Sequence, residues 1–313
     1  MKPVNIFLIS IVLLFSASCS QHDQATAPSS STVRVDNILL LDALLAGSRV
    51  IAAGERGQII YSDDKGGTWK RARVPVQATL TALFFIDDTH GWAAGHDSVI
   101  LRTIDGGENW EQTHSAPQQE APLLDIWFSD RTKGFAVGAY GQFYATMDGG
   151  RTWKKKSAIS DDMHINSISG SAGGTIYLAG EAGTLYRSVD GGASWQRLAS
   201  PYRGSFFGVL TLRSGGVLLY GLRGHLYRSD AGGANWRSLP TSDEASLFGG
   251  LEPVKGMVVL VGQDGTVLLS SDNGKTFRLK KQAGSKIFSA AVRVSDTELL
   301  LFGEAGVSRM DVQ

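Results

Sequence analysis

Short apolar runs separated by glycine- and aspartate-bearing turns dominate the hydrophobic pattern of the chain. Between residues 122 and 157 these runs read PLLDIWFSD, GFAVG, QFYATMD and RTWKKKS. They are rich in β-branched, aromatic and other apolar residues, and no useful window shows the 3.6-residue period of an amphipathic helix. The pattern therefore predicts four short β-strands joined by tight turns.

The same pattern returns along the whole chain with a nearly constant period. An aspartate-bearing turn ends in an aromatic residue at steps of 41 to 43 residues, at Trp69, Trp110, Trp153, Trp195, Trp236 and Phe277. A second turn has its first glycine at the same steps, at Gly54, Gly95, Gly138, Gly180, Gly221, Gly262 and Gly303. Four strands in each period of about 42 residues are typical of a β-propeller. We predict an all-β fold, a seven-bladed β-propeller of four-stranded blades over residues 32–313.

The aspartate of the recurring turn is well placed to close that turn. Its carboxylate can accept backbone N–H bonds, and the glycine two places later permits a positive φ. Blade five has Ala231 at this place and Asp230 one position early. A catalytic carboxylate would not recur around a ring, so we interpret these residues as structural turn clips. The clip residues are Asp64, Asp105, Asp148, Asp190 and Asp272.

The number of predicted strands also indicates how the ring closes. Blade seven supplies only three runs, KIFSAAVRV, TELLLFG and GVSRMDV, whereas TVRVD at residues 32–36 precedes blade one without a partner. Adding this N-terminal segment to the last strand of blade seven would remove two open sheet edges. We expect the last blade to be closed in this way.

Residues 1–19 have the pattern of a signal peptide. Lys2 is followed by the apolar run IFLISIVLLF, which is too short to span a bilayer, and then by SAS and Cys19. This end resembles a bacterial lipobox, although Ser16 stands where leucine is usual. The alternative is an ordinary cleaved signal with an incidental cysteine. Residues 20–31 are polar and predict a flexible tether. We expect an exported, periplasmic protein, lipidated at Cys19 and anchored to the outer membrane.

Composition and motifs give little support for catalysis, a cofactor or nucleic-acid binding. The 30 basic residues balance the 30 acidic ones, so no net charge favours nucleic acid. The GKT of DNGKTF lacks the glycine that a phosphate-binding loop needs at position 269, where Leu269 stands. His90 and His96 do not have a common zinc spacing, and no nucleophile motif occurs. We therefore predict no metal, no cofactor and no enzymatic activity.

One end of the predicted ring carries exposed arginines and aromatics. The connections between second and third strands, and those between blades, meet at the end opposite the clips. Arginine beside aromatic residues is typical of protein-binding surfaces. An alternative for two of the aromatics is that they begin a strand and point into the core. The candidate partner-binding residues are Arg56, Tyr202, Arg203, Phe206, Phe207 and Arg223.

Together, GEAGTLYRSVDGGASW and its repeats resemble the photosystem II assembly and stability factor family over residues 33–313. The resemblance implies an exported, non-catalytic propeller, in some members lipidated, that helps a membrane protein complex to assemble through an arginine-bearing surface. It implies a client that is either a photosystem or, as for some non-photosynthetic relatives, an efflux-type transporter. We expect a monomer. Further arginines at comparable places are Arg102, Arg187 and Arg228.

The alternative function is glycoside hydrolysis, because the aspartate turn is also similar to the Asp-box repeats of sialidases and xyloglucan hydrolases. Sialidases resemble six-bladed rings with an Arg-Ile-Pro stretch ahead of the first clip, whereas here RVP at residues 73–75 follows it. Xyloglucan hydrolases resemble two tandem propellers and are about twice as long. Two carboxylates about 5 to 9.5 Å apart at the channel mouth would favour this alternative.

Overall fold

The computed structural model of the chain describes residues 33–157, 159, 162–171, 173–284 and 286–313. The predicted signal peptide, Cys19, the tether and Thr32 lie outside these residues. The described chain forms seven antiparallel sheets, six with four strands and one with three. The first strand of each sheet contacts the first strand of the next, and that of the seventh contacts that of the first. The seven-bladed β-propeller is confirmed.

Each blade consists of strands that follow one another in the chain from the centre outwards. In blades one to three the strands are β1 (Leu40–Ala46), β2 (Arg49–Gly54), β3 (Ile59–Ser62), β4 (Lys70–Arg71), β5 (Leu80–Phe85), β6 (Gly91–Gly95), β7 (Ile100–Thr103), β8 (Glu111–His114), β9 (Leu123–Phe128), β10 (Gly134–Gly138), β11 (Phe143–Thr146) and β12 (Lys154–Lys155). In blades four to seven they are β13 (Ile165–Gly170), β14 (Ile176–Gly180), β15 (Leu185–Ser188), β16 (Gln196–Arg197), β17 (Phe206–Thr211), β18 (Val217–Gly221), β19 (Leu226–Ser229), β20 (Arg237–Ser238), β21 (Leu247–Leu251), β22 (Val258–Gly262), β23 (Thr266–Ser270), β24 (Arg278–Lys281), β25 (Phe288–Arg293), β26 (Glu298–Gly303) and β27 (Gly306–Asp311).

Single 3₁₀ turns are the helical elements of the described chain. Six of them join the second to the third strand of blades one to six, and the seventh lies between blades two and three. The 3₁₀ turns span Glu55–Gly57, His96–Ser98, Pro117–Gln119, Ala139–Gly141, Glu181–Gly183, Leu222–Gly224 and Gln263–Gly265. Within the described residues we find no helix long and apolar enough to cross a membrane.

The hydrophobic core lies between the blades rather than within one layer. Second strands such as β10 and β22 are buried along their whole length, whereas outer strands such as β4 and β12 are exposed. Each of seven clusters of buried side chains is shared by two adjacent blades. Between blades two and three, for example, Trp92 and Phe128 stack with ring centroids 3.5 Å apart. Because each sheet buries both faces, its inner strands need apolar residues at every position.

The ring closes beside the predicted N-terminal segment, but through less pairing than we expected. Asp36 and Gly306 form one isolated antiparallel bridge, and the Val307 N–H donates to the Val35 carbonyl at 3.3 Å. Val33 turns instead towards blade one, where its N–H donates to the Trp69 carbonyl at 2.9 Å. The expected location is therefore confirmed, whereas a full strand over residues 33–36 is not formed. The physical reason is that the valines of this segment pack into the core shared by blades seven and one.

Side chains from blade six cover part of the outer edge of β27. Alternate residues of a strand present their backbone groups to the same edge, so Arg309 and Asp311 face the same way as Val307. The Lys280 ammonium donates to the Asp311 carbonyl at 2.6 Å, and the Gln282 amide donates to the Arg309 carbonyl at 3.4 Å. Covering an edge in this way reduces pairing with other chains.

Candidate functional site

The two ends of the ring are built from different connections. The first–second and third–fourth connections of each blade, with the aspartate clips, lie at one end, which we call the clip end. The second–third turns and the linkers between blades lie at the other end, which we call the linker end. The chemistry of the two ends therefore depends on different parts of the repeat.

At the clip end the aspartates close their turns as predicted. The Asp148 carboxylate accepts the Thr146 hydroxyl at 2.7 Å, the Thr152 N–H at 3.0 Å and the Thr152 hydroxyl at 2.6 Å. Burial opposes ionisation of Asp148, but the bonds from Thr152 and Thr146 outweigh it and lower its pKa to about 2. Equivalent bonds hold the other four clip aspartates, Asp64, Asp105, Asp190 and Asp272. These carboxylates are satisfied by their own turns.

Blade five shows how the turn is made without the aspartate. The Ser229 hydroxyl still accepts the Ala231 N–H at 3.2 Å and the Gly233 N–H at 2.9 Å. Asp230 instead pairs with the Arg228 guanidinium. The serine at the start of the turn therefore preserves its shape when Ala231 replaces the carboxylate.

We expect Asp148→Ala to lower the free energy of unfolding by about 0.5 to 2 kcal/mol, because three hydrogen bonds are lost while the Thr146 hydroxyl still binds the Gly150 N–H. Urea unfolding of the variant and the wild type measures this difference. Partner binding by the folded variant should be unchanged. Loss of binding with an unaltered unfolding curve would mean that the clip has a chemical role.

At the linker end a second clip recurs that sequence reasoning missed. The first residue of the second–third turn in blades one, four, six and seven is glutamate or glutamine, and its side chain accepts a backbone N–H of the linker. In blade seven, for example, Glu304 accepts the Ile287 N–H at 2.9 Å. The other three residues are Glu55, Glu181 and Gln263. The sequence did carry a signal for this second clip, because Gly-Glu or Gly-Gln recurs at the regular spacing of the repeat.

The second residue of each 3₁₀ turn between the second and third strands projects from the linker end in a left-handed conformation. Arg56, Tyr140 and Arg223 occupy this place with φ of 55°, 53° and 55°. Such a backbone costs a non-glycine residue about 1 kcal/mol. It nevertheless recurs in all six of these turns around the ring. Arg56 and Arg223 are exposed, and Tyr140 is 60% exposed. The turn geometry thus presents these side chains to solvent.

Arg203 and Arg223 lie on adjoining segments, whereas Arg56 lies in another blade. The Leu222 N–H donates to the Ser205 carbonyl at 3.0 Å, which ties the linker of Arg203 to the turn of Arg223. All three arginines are exposed. Among the described residues, no hydrogen bond or ion pair engages their guanidinium groups. The structure therefore brings together two of the three predicted arginines with their donors free.

Two of the three predicted aromatics of this surface, Phe206 and Phe207, have other roles. Phe206 is fully buried and packs against Tyr202 and Tyr227, so its assignment as a partner-binding residue was wrong; alternation along β17 places it in the core. Phe207 lines the central channel and packs against Phe248 with centroids 5.2 Å apart. Tyr202 is half-buried, and its ring centroid lies 3.9 Å from that of His225.

The other three arginines named from the sequence make contacts within the ring, and two of them join neighbouring blades. Arg187 donates to the Gly232 carbonyl of the next blade at 2.7 Å. Arg228 is 3% exposed and donates to the Asn273 carbonyl of the next blade. Arg102 pairs with Glu111 within its own blade at 2.8 Å. Their guanidinium groups are committed to the ring.

Two carboxylates in the central channel were also missed by sequence reasoning. Asp42 accepts the Leu83 N–H of blade two at 2.7 Å, and Asp125 accepts the Ile168 N–H of blade four at 2.8 Å. Each also accepts the N–H of the following residue. Burial raises the pKa of Asp42 to about 7 against these bonds, with a further contribution from Asp125. Burial likewise raises the pKa of Asp125 to about 6.

Metal binding finds no support in the described part of the chain. No group of three or more histidine, cysteine, aspartate or glutamate side chains is arranged to hold a metal ion there. The channel carboxylates are a pair, and both serve as bridges between blades. The arrangement that can engage another molecule at the linker end is the pair of free arginines beside an aromatic cluster.

Comparison with known sequences identifies one family. The sequence model described as photosynthesis system II assembly factor YCF48 matches residues 61–122 and 115–250. The photosystem II stability/assembly factor HCF136 of Cyanidioschyzon merolae is 32% identical over 78 residues, which are 23% of this chain and 18% of that protein. The photosystem II assembly protein Ycf48 of Thermosynechococcus vestitus is 40% identical over 43 residues, which are 14% of this chain and 12% of that protein. The aligned stretches thus span less than a fifth of either relative.

Comparison with solved structures shows the same fold at low sequence identity. YCF48 bound to a D1 peptide is 18% identical with a TM-score of 0.71, covering 89% of this chain and 93% of that chain. Streptogramin B lyase is 11% identical with a TM-score of 0.76, covering 90% and 96%. The GH74 xyloglucanase from Xanthomonas campestris is 14% identical with a TM-score of 0.73, covering 90% and 53%. Both enzymes and an assembly factor share this fold, so these likenesses do not decide function.

Proposed function

Since the chain belongs to the photosynthesis system II assembly factor YCF48 family, we propose that it is a non-catalytic scaffold that helps a membrane protein complex to assemble. The client is a photosystem or an efflux-type transporter, and the chain works on the extracytoplasmic side of the membrane. It acts as a monomer whose linker end contacts an exposed segment of a client subunit.

The observation that carries this proposal is the free pair Arg203 and Arg223 at the linker end. Planar guanidinium groups bind carboxylates through two parallel hydrogen bonds and also stack on aromatic rings. Tyr202, which precedes Arg203, and His225, two residues after Arg223, pack against each other. A related YCF48 structure is described as bound to a D1 peptide. By analogy, we propose that an extended, carboxylate-bearing peptide segment of the client lies across this surface.

Photo-crosslinking tests this function directly. A photoreactive phenylalanine analogue placed at position 223 should capture a subunit of a membrane protein complex in intact cells, and mass spectrometry of the product would identify the client. The same analogue at position 71, an exposed outer-strand arginine, is the control. Capture of the same proteins from both positions, or of soluble proteins alone, would contradict a client site at the linker end.

Absence of catalysis is part of the proposal. The clip carboxylates are held by their turns, and both oxygens of Asp42 and of Asp125 accept backbone N–H groups. A glycosidase needs one carboxyl group to protonate the leaving oxygen and another to attack or to activate water, whereas these carboxylates close their own turns or bridge neighbouring blades. Hydrolysis of xyloglucan or a sialoside by the purified protein, lost in Asp42→Asn, would instead support the glycosidase alternative.

We also propose that Cys19 is lipidated and anchors the propeller to the periplasmic face of the outer membrane. The lone cysteine after an apolar run, followed by a polar tether, supports this. Cys19→Ser should move the protein from the membrane to the soluble fraction and leave the propeller folded. Wild-type protein that is itself soluble after fractionation would reject the anchor.

A further inference from the structure

The central channel holds negative charge without a positive partner. It encloses about 440 Å³ and is lined by the first strands of the blades. Its charged side chains are Asp42, Asp125 and Glu252, and no lysine, arginine or histidine is among the lining residues. The Glu252 oxygens accept the Arg213 and Gly256 N–H groups at 2.6 and 3.0 Å. The described donors to all three carboxylates are therefore uncharged, and Asp42 and Asp125 are the two that bridge the first strands of neighbouring blades.

A phenol side chain from blade five lines the same channel. Tyr220 is 5% exposed, and its ring fills space above Gly208 and Gly250, where a Cβ at Gly208 would lie 2.2 Å from the hydroxyl oxygen. Among the described residues, no hydrogen bond reaches this hydroxyl, which belongs to the channel lining. Burial, followed by the charges of Asp125 and Asp42, raises the pKa of Tyr220. The group therefore keeps its proton and stays available as a polar partner.

The walls of the channel favour an organic cation over a metal ion. Ca²⁺ takes six to eight oxygen ligands, and no group of three or more histidine, cysteine, aspartate or glutamate side chains in the described chain is arranged to hold a metal ion. Aromatic rings attract ammonium groups through their negative faces, and four besides Tyr220 line the channel. These four rings belong to Phe84, Trp127, Phe207 and Phe248.

We propose that the central channel is a binding site for a small organic amine in its ammonium form, held by Asp42, Asp125 and the Tyr220 hydroxyl. Each carboxylate oxygen accepts one backbone N–H and retains a second lone pair for an ammonium donor. The ammonium compensates the buried negative charge, and the aromatic walls contact its carbon chain. This site is distinct from the arginine surface at the linker end.

Isothermal titration with putrescine tests the site. At pH 8 both carboxylates are ionised, and putrescine should bind at least about tenfold more tightly than at pH 5.5, where protons compete for the same groups. At pH 6.5 binding should release protons, which is measured by comparing two buffers of different ionisation enthalpy. Sodium chloride of equal ionic strength is the control for screening.

Three variants separate the channel from general electrostatic attraction. Asp42→Asn and, with the ring preserved, Tyr220→Phe should weaken putrescine binding about tenfold and several-fold respectively. Asp296→Asn, which removes a fully accessible carboxylate, should leave it unchanged. The pH comparison uses the wild-type protein alone, so it still tests the proposal if Asp42→Asn does not fold. Equal affinity at pH 8 and pH 5.5, equal weakening in all three variants, or no binding up to millimolar putrescine would overturn it.

Discussion

The double variant Arg203→Glu with Arg223→Glu should abolish co-purification of the client from membranes. Reversing both charges replaces two guanidinium donors with carboxylates, which repel the acidic segment that we propose as the ligand. Both side chains are exposed, and within the described structure neither guanidinium takes part in an ion pair. The free energy of unfolding should therefore change by no more than about 0.5 kcal/mol. Affinity purification followed by quantitative mass spectrometry measures the loss.

A matched control for this variant is available on the outer strands. Arg71 of β4 and Arg237 of β20 are also exposed arginines, so Arg71→Glu with Arg237→Glu makes the same change in net charge on the outer strands of blades one and five. The client should be retained by this control. Equal loss from both double variants would indicate general charge attraction, and retention by both would reject the arginine surface.

The pH dependence of stability should be the second large effect. A carboxyl group whose pKa is raised on folding contributes stability below its unfolded pKa and loses it as the pH rises through the folded pKa. The values of about 7 for Asp42 and about 6 for Asp125 place this loss between pH 4 and pH 7. One pKa unit corresponds to about 1.4 kcal/mol. We expect a combined loss of several kcal/mol as the two groups ionise, and the repulsion from Asp125 is already part of the raised pKa of Asp42.

The clip aspartates act in the opposite direction at lower pH. Hydrogen bonds lower the pKa of Asp148 and Asp272, so their contribution is present above about pH 4 and is lost as the pH falls further. Stability should therefore be highest near pH 4 to 5. Tyr220 also lines the channel, but its raised pKa keeps the phenol neutral over this pH range.

Urea unfolding at pH 4.5, 6 and 8 measures this profile. The variant Asp42→Asn with Asp125→Asn should lose most of the decline between pH 4.5 and pH 8. Asp148→Ala is the matched control, because it should keep that decline and alter only the acid side. Wild-type stability that rises from pH 4.5 to pH 8 would mean that the channel carboxylates are solvated and ionise normally.

The architecture was predictable because the turns repeat. Gly54 and its equivalents mark the second strands, and the clip at Asp148 and its equivalents marks the third–fourth connection. Both features form through hydrogen bonds and backbone angles within a single blade, so each repeat of the sequence contains all the residues that they need. The same applies to the exposure of Arg56 and Arg223, because their turn directs them to solvent wherever the blade lies.

The channel was not predictable because it depends on unlike residues brought together by ring closure. The position of Asp42 within its strand is occupied in other blades by Asp125, Ser167 and Gly208, so no repeat marks it. Tyr220 reaches the channel only because Gly208 leaves room beside it. Phe206 and Phe207 are adjacent aromatics in one strand, and only the direction of the pleat decides that the first is buried in the core and the second lines the channel.

The bridge between Asp36 and Gly306 also determines where the folded ring can open. A peptide linker joins each of the other six pairs of neighbouring blades, whereas blades seven and one are held together by non-covalent contacts alone. A gap can form at this boundary while the other blades stay packed, without unthreading any strand. Because β27 has no fourth strand beside it in the described chain, its outer N–H groups at Arg309 and Asp311 donate to no strand, and hydrogen–deuterium exchange should be faster there than in the other third strands. We therefore expect the folded ring to open and close transiently at the boundary between blades seven and one.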